Sequence, residues 1–361
     1  MTEIKIPPRE KRLDDIVKIA RKTFGVDSIR KLGKDEIIAW PSLTTGLISV
    51  DNILGIGGVP LGRSTEVFGP EGAGKTTFCL HLVAEAQKKG AIAVYIDAEH
   101  ALDLNYAKQL GVDVGALLLC QPDSAEQSLD MVEMMAEKLI RGDTVVLDSV
   151  AAMVPEEELE KSTGDWQMGL QARLMGKGVR KCTGAIAKSK VVCLWVNQLR
   201  DTIGGYGPSE STPGGRALKF GASVRLDIRR SGKLIREGEE YGTKITVRTV
   251  KNKMACPFKK TDVKLIYGEG FSKEESLIDA ALDLGVIVQS GSWYGFGGDN
   301  VQGTEPIRER MKKEEEYCKK VEEAVKEAMS GKKVIEISEE EAKQLTAPDP
   351  EPEEEKCEAT T

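Results

Sequence analysis

The segment GPEGAGKT, Gly69–Thr76, restricts the possible folds of this chain more than any other part of it. It fits the pattern G-x-x-x-x-G-K-[ST] in full. The pattern works only where a strand enters it and a helix leaves it, so that loop amides and the helix N-terminus face one anionic phosphate together. Both flanks are present. STEVF precedes the loop with strand-forming residues, and KTTFCLHLVAEAQKK follows with helix formers closed by Gly90. The chain is therefore expected to be an α/β protein. Its phosphate-binding residues are Gly69, Pro70, Glu71, Gly72, Ala73, Gly74, Lys75, Thr76 and Thr77. Lys75 is placed to reach the β/γ-phosphates of ATP, and Thr76 to offer its hydroxyl to Mg²⁺.

The rest of the chain agrees with that start. AIAVYIDA, ALLLCQP, TVVLDS and KVVCLWVNQ read as strands, and helical patterns separate them, the last running WQMGLQARLMGKGVRKCTGAIAKS. Such alternation predicts a mostly parallel sheet with helices on both faces. Ligands then collect at the C-terminal ends of the strands. SVRLDIRR, YGTKITVRTVKN and TDVKLIYGEG extend the sheet with antiparallel edges. REKRLDDIVKIARKTFG reads as a separate N-terminal helix, and RERMKKEEEYCKKVEEAVKEAMSG as one charged C-terminal helix. The expected division is 1–42 (N-terminal helix and linker), 43–273 (ATPase core), 274–333 (C-terminal domain) and 334–361 (acidic tail).

Three strand ends carry chemistry. In TVVLDS an apolar run delivers Asp148 to the strand edge, where a carboxylate can hold Mg²⁺ through its shell. In AIAVYIDAEH, Asp97 and Glu99 fall on one side of the chain; Glu99 lies further past the strand and is taken as the general base. Asn197 and Gln198 end KVVCLWVNQ, where an amide can bond a γ-phosphate or satisfy its own strand end. A glycine-rich stretch, NQLRDTIGGYGPSESTPGGRALKF, follows directly. A loop this long in a compact domain has a function, and its position suggests a switch reading the nucleotide state.

Composition bounds the partners. Seven cysteines without a C-x-x-C, and two histidines, match neither a disulfide framework nor a zinc site. Free thiols suit a reducing cytoplasm. No apolar run approaches the ~18 residues of a membrane span. No signal peptide is visible behind MTEIKIPPREKRLDD. The net charge of −7 is uneven: Glu336–Thr361 carries ten acids against two lysines, which leaves the remainder at +1. The folded part is therefore open to a nucleic-acid partner, and the tail is expected to compete with anionic ligands for basic surface.

Ten strings occur in the order found in the bacterial RecA recombinase family, which the chain resembles from about Leu13 to Met329: EVFGPEGAGKTT, YIDAEHALD, QPDSAEQ, LDSVAAMVP, MGLQARLM, VNQLR, GGRALKFGASVRLDIRR, VKNKMACPFK, YGEG and GSWY. The resemblance implies a P-loop RecA-type core and a DNA-dependent, Mg²⁺-requiring ATPase. Such a protein forms filaments of its own copies on single-stranded DNA, pairs it with homologous duplex and exchanges strands in recombination and repair. It also implies a co-protease role toward a self-cleaving repressor in the SOS response to DNA damage. The alternative is a RecA-fold hexameric helicase or motor. The resemblance supports Glu99 as base and Gln198 as γ-phosphate sensor, and places Tyr106 against the adenine. Lys251 and Lys253 become cations reaching the neighbour's ATP, and Phe220 an interface residue. DNA-contacting residues implied in the two loops are Met168, Gly169 and Arg173, then Arg200, Ile203, Gly204, Gly205, Tyr206, Gly214 and Gly215. The chain departs from the family pattern in the acidic run before the first loop, and at Trp166, Tyr206 and Arg216. These departures suit a divergent or phage-encoded member.

Overall fold

The computed structural model describes residues 8–25, 28–29, 40–160, 169–201 and 210–329. The chain divides into two units, 1–39 and 40–361. In the first, α1 (Arg9–Phe24) ends at Gly25, whose N–H bonds the Arg21 carbonyl. It buries none of its residues, and Leu13, Ile16, Ile19 and Phe24 are exposed.

The second unit opens with β1 (Ser42–Leu43), α2 (Ile48–Leu54) and β2 (Val59–Pro60), elements too short for periodicity to announce. Then β3 (Arg63–Gly69), α3 (Lys75–Lys88), β4 (Ala93–Asp97), α4 (Leu104–Gln109), β5 (Leu117–Cys120), α5 (Ala125–Lys138) and β6 (Thr144–Asp148) alternate as expected. A short α6 (Glu156–Leu159), α7 (Leu170–Ser189), β7 (Val192–Gln198), β8 (Arg200–Asp201), β9 (Glu210–Ser211) and α8 (Ala217–Gly221) follow. The long strands β10 (Val224–Arg236), β11 (Glu239–Asn252) and β12 (Lys260–Ile266), with β13 (Gly270–Phe271), complete a nine-stranded sheet of order β13-β12-β11-β10-β3-β7-β6-β4-β5. From β10 to β5 every pair is parallel; β11, β12 and β13 add antiparallel.

Both faces of the parallel strands are covered, and the period of two sorts their residues between two cores. Tyr95, Val146, Leu194 and Val196 pack with Phe78, Leu80 and Leu82 of α3. Val94, Ile96, Val145, Leu147, Cys193 and Trp195 pack with Leu129 and Val132 of α5 and Met175 and Val179 of α7. Helix starts follow capping chemistry: Asp103 accepts the N–H of Asn105 and Tyr106 before α4, and Ser124 accepts that of Gln127 before α5.

Two expectations need correction. The charged C-terminal segment is two helices, α10 (Glu305–Lys313) and α11 (Glu315–Met329), broken at Glu314 (φ −115°, ψ 94°). The apolar phase explains the break: Ile307 and Met311 are one helical repeat apart, as are Tyr317, Val321 and Val325, but the step from Met311 to Tyr317 fits no continuous helix. These helices, α9 (Lys273–Asp283) and the meander β14 (Val288–Ser290), β15 (Trp293–Phe296) and β16 (Asp299–Gln302) share a separate small core. The second correction concerns α7, which starts at Leu170 behind Gly169 (φ 85°), not at Trp166; Trp166 lies outside the described residues.

A buried histidine ties α3 to β13. His81 Nε2 accepts the Phe271 N–H at 2.9 Å, and burial, aided by the nearby Lys273 charge, lowers its pKa to about 4. The fold thus holds His81 neutral, while the unfolded chain takes up the proton below about 6.5. His81 contributes stability above that pH, and the contribution is lost as pH falls toward about 4, by about 3 kcal/mol in all. Urea denaturation at about pH 7 and about pH 4 should show His81→Gln, which keeps an acceptor without a titration, losing less stability than the parent chain.

Candidate functional site

The phosphate loop leaves the centre of the sheet, between strands that flank β3 on both sides. Gly69 is forced by the fold, since a Cβ there would lie 2.0 Å from the Ile228 carbonyl oxygen. Gly72 and Gly74 have φ of 67° and 86°, the left-handed region that glycine adopts without strain. The N–H groups of Gly72, Ala73 and Gly74 find no hydrogen-bond partner among the described residues. That leaves an open row of donors at the N-terminus of α3, which fits an anionic phosphate. Lys75 is buried, and its Nζ donates to the Pro70 carbonyl at 2.7 Å. Burial lowers its pKa, against the nearby Asp148 and Glu99 carboxylates.

Asp148 ends β6 and is also buried. Its Oδ2 accepts from Thr76 Oγ1 at 2.7 Å and from the Tyr95 hydroxyl at 2.7 Å. Burial raises the Asp148 pKa and pushes that of Tyr95 well up, so Tyr95 is the donor of the pair. A hydroxyl and a carboxylate meeting beside a phosphate cradle are hard oxygen donors of the kind Mg²⁺ takes. The residues present therefore fit ATP and Mg²⁺: Gly69–Thr77 for the phosphates, Thr76 and Asp148 for the cation. Tyr106 lies close by, its hydroxyl 3.1 Å from Thr77 Oγ1.

Glu99 lies past the end of β4 with one carboxylate oxygen held from two sides. Gln198 Nε2 donates to Oε1 at 2.9 Å, and Ser149 Oγ donates to the same oxygen. Oε2 remains without a partner among the described residues. The structure therefore joins Glu99 to Gln198 across two strands. Ser149 escaped the sequence reading because its partner is 50 residues away and the surrounding motif gives it no role. Asp97 is used differently: it accepts the N–H of Ala101 and Leu102 and the amide of Gln121, which shapes the turn after β4. Asn197 is buried and bonds Glu66 Oε1 at 3.1 Å and the Pro213 carbonyl at 3.2 Å, so of the two amides only Gln198 faces the nucleotide end.

The glycine-rich stretch is pinned at its base. β8 and β9 pair antiparallel, Arg200 with Ser211, and Arg229 grips both Glu210 oxygens at 3.3 and 2.6 Å. Gly214 (φ 80°) and Gly215 (φ 70°) bring this segment against Val150 and Ala172, where a Cβ would sit 3.0 and 2.9 Å from its neighbours. Gln171 of α7 donates to the Val150 and Met153 carbonyls, both at 3.0 Å. The ends of both expected DNA loops thus meet at the C-terminal edge of the sheet. Gly169 caps α7, Arg173 is exposed on its first turn, and Arg200 approaches the Ala151 carbonyl at 3.5 Å. Met168, Ile203, Gly204, Gly205 and Tyr206 lie outside the described residues.

At the opposite end of the sheet, Lys251 and Lys253 flank Asn252 where β11 ends beside the starts of β3 and β10. Lys251 Nζ donates to the Lys219 and Phe220 carbonyls at 2.7 and 2.9 Å, and burial, then the Lys253 and Arg225 charges, lowers its pKa. Phe220 on α8 is 71% exposed. These residues lie at the opposite end of β3 from the chain's own phosphate loop.

Comparison with known proteins places both parts of the chain in one family. A RecA N-terminal domain family matches residues 11–272 and a RecA C-terminal domain family matches 275–330. The chain is 48% identical over 329 residues to Protein RecA of Chloroherpeton thalassium, covering 90% of this chain and 91% of the relative. It is 47% identical over 332 residues to Protein RecA of Chlorobaculum tepidum, with 90% and 94% covered. Against Protein RecA of Heliobacterium modesticaldum the identity is 49% over 297 residues, with 81% and 85% covered. Among the described residues no helix is long and apolar enough to cross a membrane.

Proposed function

The chain belongs to the RecA family, and on that premise we propose how its residues divide the work. The protein is a DNA-dependent ATPase and homologous recombinase that binds ATP with Mg²⁺ and assembles its own copies on single-stranded DNA. It pairs that strand with homologous duplex in recombination and repair, and the hexameric-motor alternative is not favoured.

Lys75 and the loop amides would hold the β/γ-phosphates, and Thr76 and Asp148 would hold Mg²⁺, which would supply charge neutralisation to the phosphates. Glu99 takes the proton of the attacking water on Oε2 while Ser149 and Gln198 keep Oε1 occupied. A γ-phosphate draws the Gln198 amide from Glu99, and the stretch that β8 and β9 anchor passes this change to the DNA. Lys251 and Lys253 serve the ATP of the next copy, with Phe220 at the same interface. Gly169, Arg173, Arg200, Gly214 and Gly215, with Met168, Ile203, Gly204, Gly205 and Tyr206, line the DNA path, where amides and arginines bind phosphates without regard to sequence. The division 1–42, 43–273, 274–333 and 334–361 belongs to the same reading. So do a cytoplasmic location and a self-cleaving repressor as partner in the SOS response.

The observation that supports this reading is the Gln198–Glu99–Ser149 contact, next to the stretch that β8 and β9 anchor. Electron microscopy with a non-hydrolysable ATP analogue and single-stranded DNA tests it. Helical filaments are expected for the parent chain, and filaments that no longer require the analogue for Gln198→Ala. Closed rings, or Gln198→Ala filaments as analogue-dependent as the parent's, would contradict it.

A further inference from the structure

Tyr95 sits within β4 and is 1% exposed. Its ring packs in the core on the α3 side of the sheet. A buried phenol requires a hydrogen-bond partner, and this one reaches the carboxylate that the phosphate-loop reading assigns to Mg²⁺. The Tyr95 hydroxyl and Thr76 Oγ1 both donate to Asp148 Oδ2, each at 2.7 Å. Oδ1 accepts no hydrogen bond among the described residues. The Asp148 backbone is held as well, its carbonyl accepting the Ala98 N–H at 2.7 Å.

From this we infer that Tyr95 is a positioning residue of the metal site: its hydroxyl fixes the rotation of the Asp148 carboxylate and leaves Oδ1 as the free acceptor for the hydrated cation. The inference rests on the reading of Thr76 and Asp148 as the residues that hold Mg²⁺. The physical reason is the burial of Asp148. A carboxylate out of water needs its lone pairs satisfied to stay ionised. Thr76 cannot do this alone, because its hydroxyl oxygen is also the group offered to the metal. The only hydrogen bond of the Tyr95 hydroxyl among the described residues is to Asp148, so it would act through that carboxylate, as outer-shell partners do in other metal sites. Removing its hydroxyl leaves the carboxylate with one donor and freedom to turn.

The experiment uses the full chain with ADP and follows Mn²⁺ binding by electron paramagnetic resonance, for the parent and for Tyr95→Phe. Tyr95→Phe should bind Mn²⁺ about tenfold more weakly, with ADP affinity in EDTA unchanged. Equal Mn²⁺ affinity would overturn the inference. So would an ADP affinity in EDTA that falls by the same factor, since that marks a general distortion of the loop. A parent chain that binds no Mn²⁺ with ADP would remove the underlying metal-site reading itself, a result distinct from the other two. Should Tyr95→Phe not fold, 3-fluorotyrosine placed at position 95 keeps the hydroxyl, and its ¹⁹F line should move when Mg²⁺ is added to the ADP-bound protein. A line that Mg²⁺ leaves in place would overturn the inference.

Discussion

Lys75→Ala is expected to reduce ATP turnover by about 10³-fold, the scale of losing one preorganised electrostatic stabiliser. The side chain is buried at the start of α3, and its ammonium lies between the loop carbonyl of Pro70 and the charges of Asp148 and Glu99. Among the described residues of the same chain, Lys251 and Lys253 lie at the far end of the sheet and cannot stand in for it. The substitution therefore removes the phosphate's positive partner and leaves two carboxylates facing each other. Steady-state hydrolysis, with circular dichroism to check the fold, measures the effect. Retained turnover in a folded variant would remove the phosphate-loop assignment.

Glu99→Gln should separate binding from chemistry. The glutamine carbonyl can still accept from Ser149 and Gln198, so the contacts at Oε1 survive, but the amide cannot take a proton. Hydrolysis should fall about 10²- to 10⁴-fold, the usual contribution of a positioned base. Affinity for ATP should stay close to that of the parent, and filaments on single-stranded DNA should persist longer because the nucleotide is not consumed. Single-turnover hydrolysis and equilibrium ATP binding measured together decide the point. A normal hydrolysis rate would move the base elsewhere.

The parts of the protein most legible in the sequence are those in which local pattern and chemistry coincide. Gly69–Thr76 carries its own conformational demand, and the apolar runs ending at Asp97, Asp148 and Gln198 each point a polar residue out of a core strand. Register decides the rest. Asp97 and Glu99 look equivalent along the chain, but the turn after β4 uses Asp97 as a cap, and only Glu99 reaches Gln198. Asn197 resembles Gln198 until Glu66, 131 residues away, claims it. Tyr95 hides inside AIAVYIDA because strand periodicity scores a phenol as apolar; its hydroxyl gains meaning only once β4 lies beside β6. The long β10–β11 hairpin turns at Glu237 and Gly238, both with positive φ, without the Asn-Gly or Asp-Gly pair that marks such turns. The break at Glu314 was hidden because charge and helix propensity run through it unchanged, and only the apolar phase shifts.

Hydrolysis of ATP by the parent chain, measured with and without single-stranded DNA of arbitrary sequence, tests the central claim most directly. Turnover should be low alone and rise strongly with the DNA if, as proposed, the β8–β9 stretch links the DNA path to Gln198 and Glu99. A rate that neither single- nor double-stranded DNA changes would contradict the account.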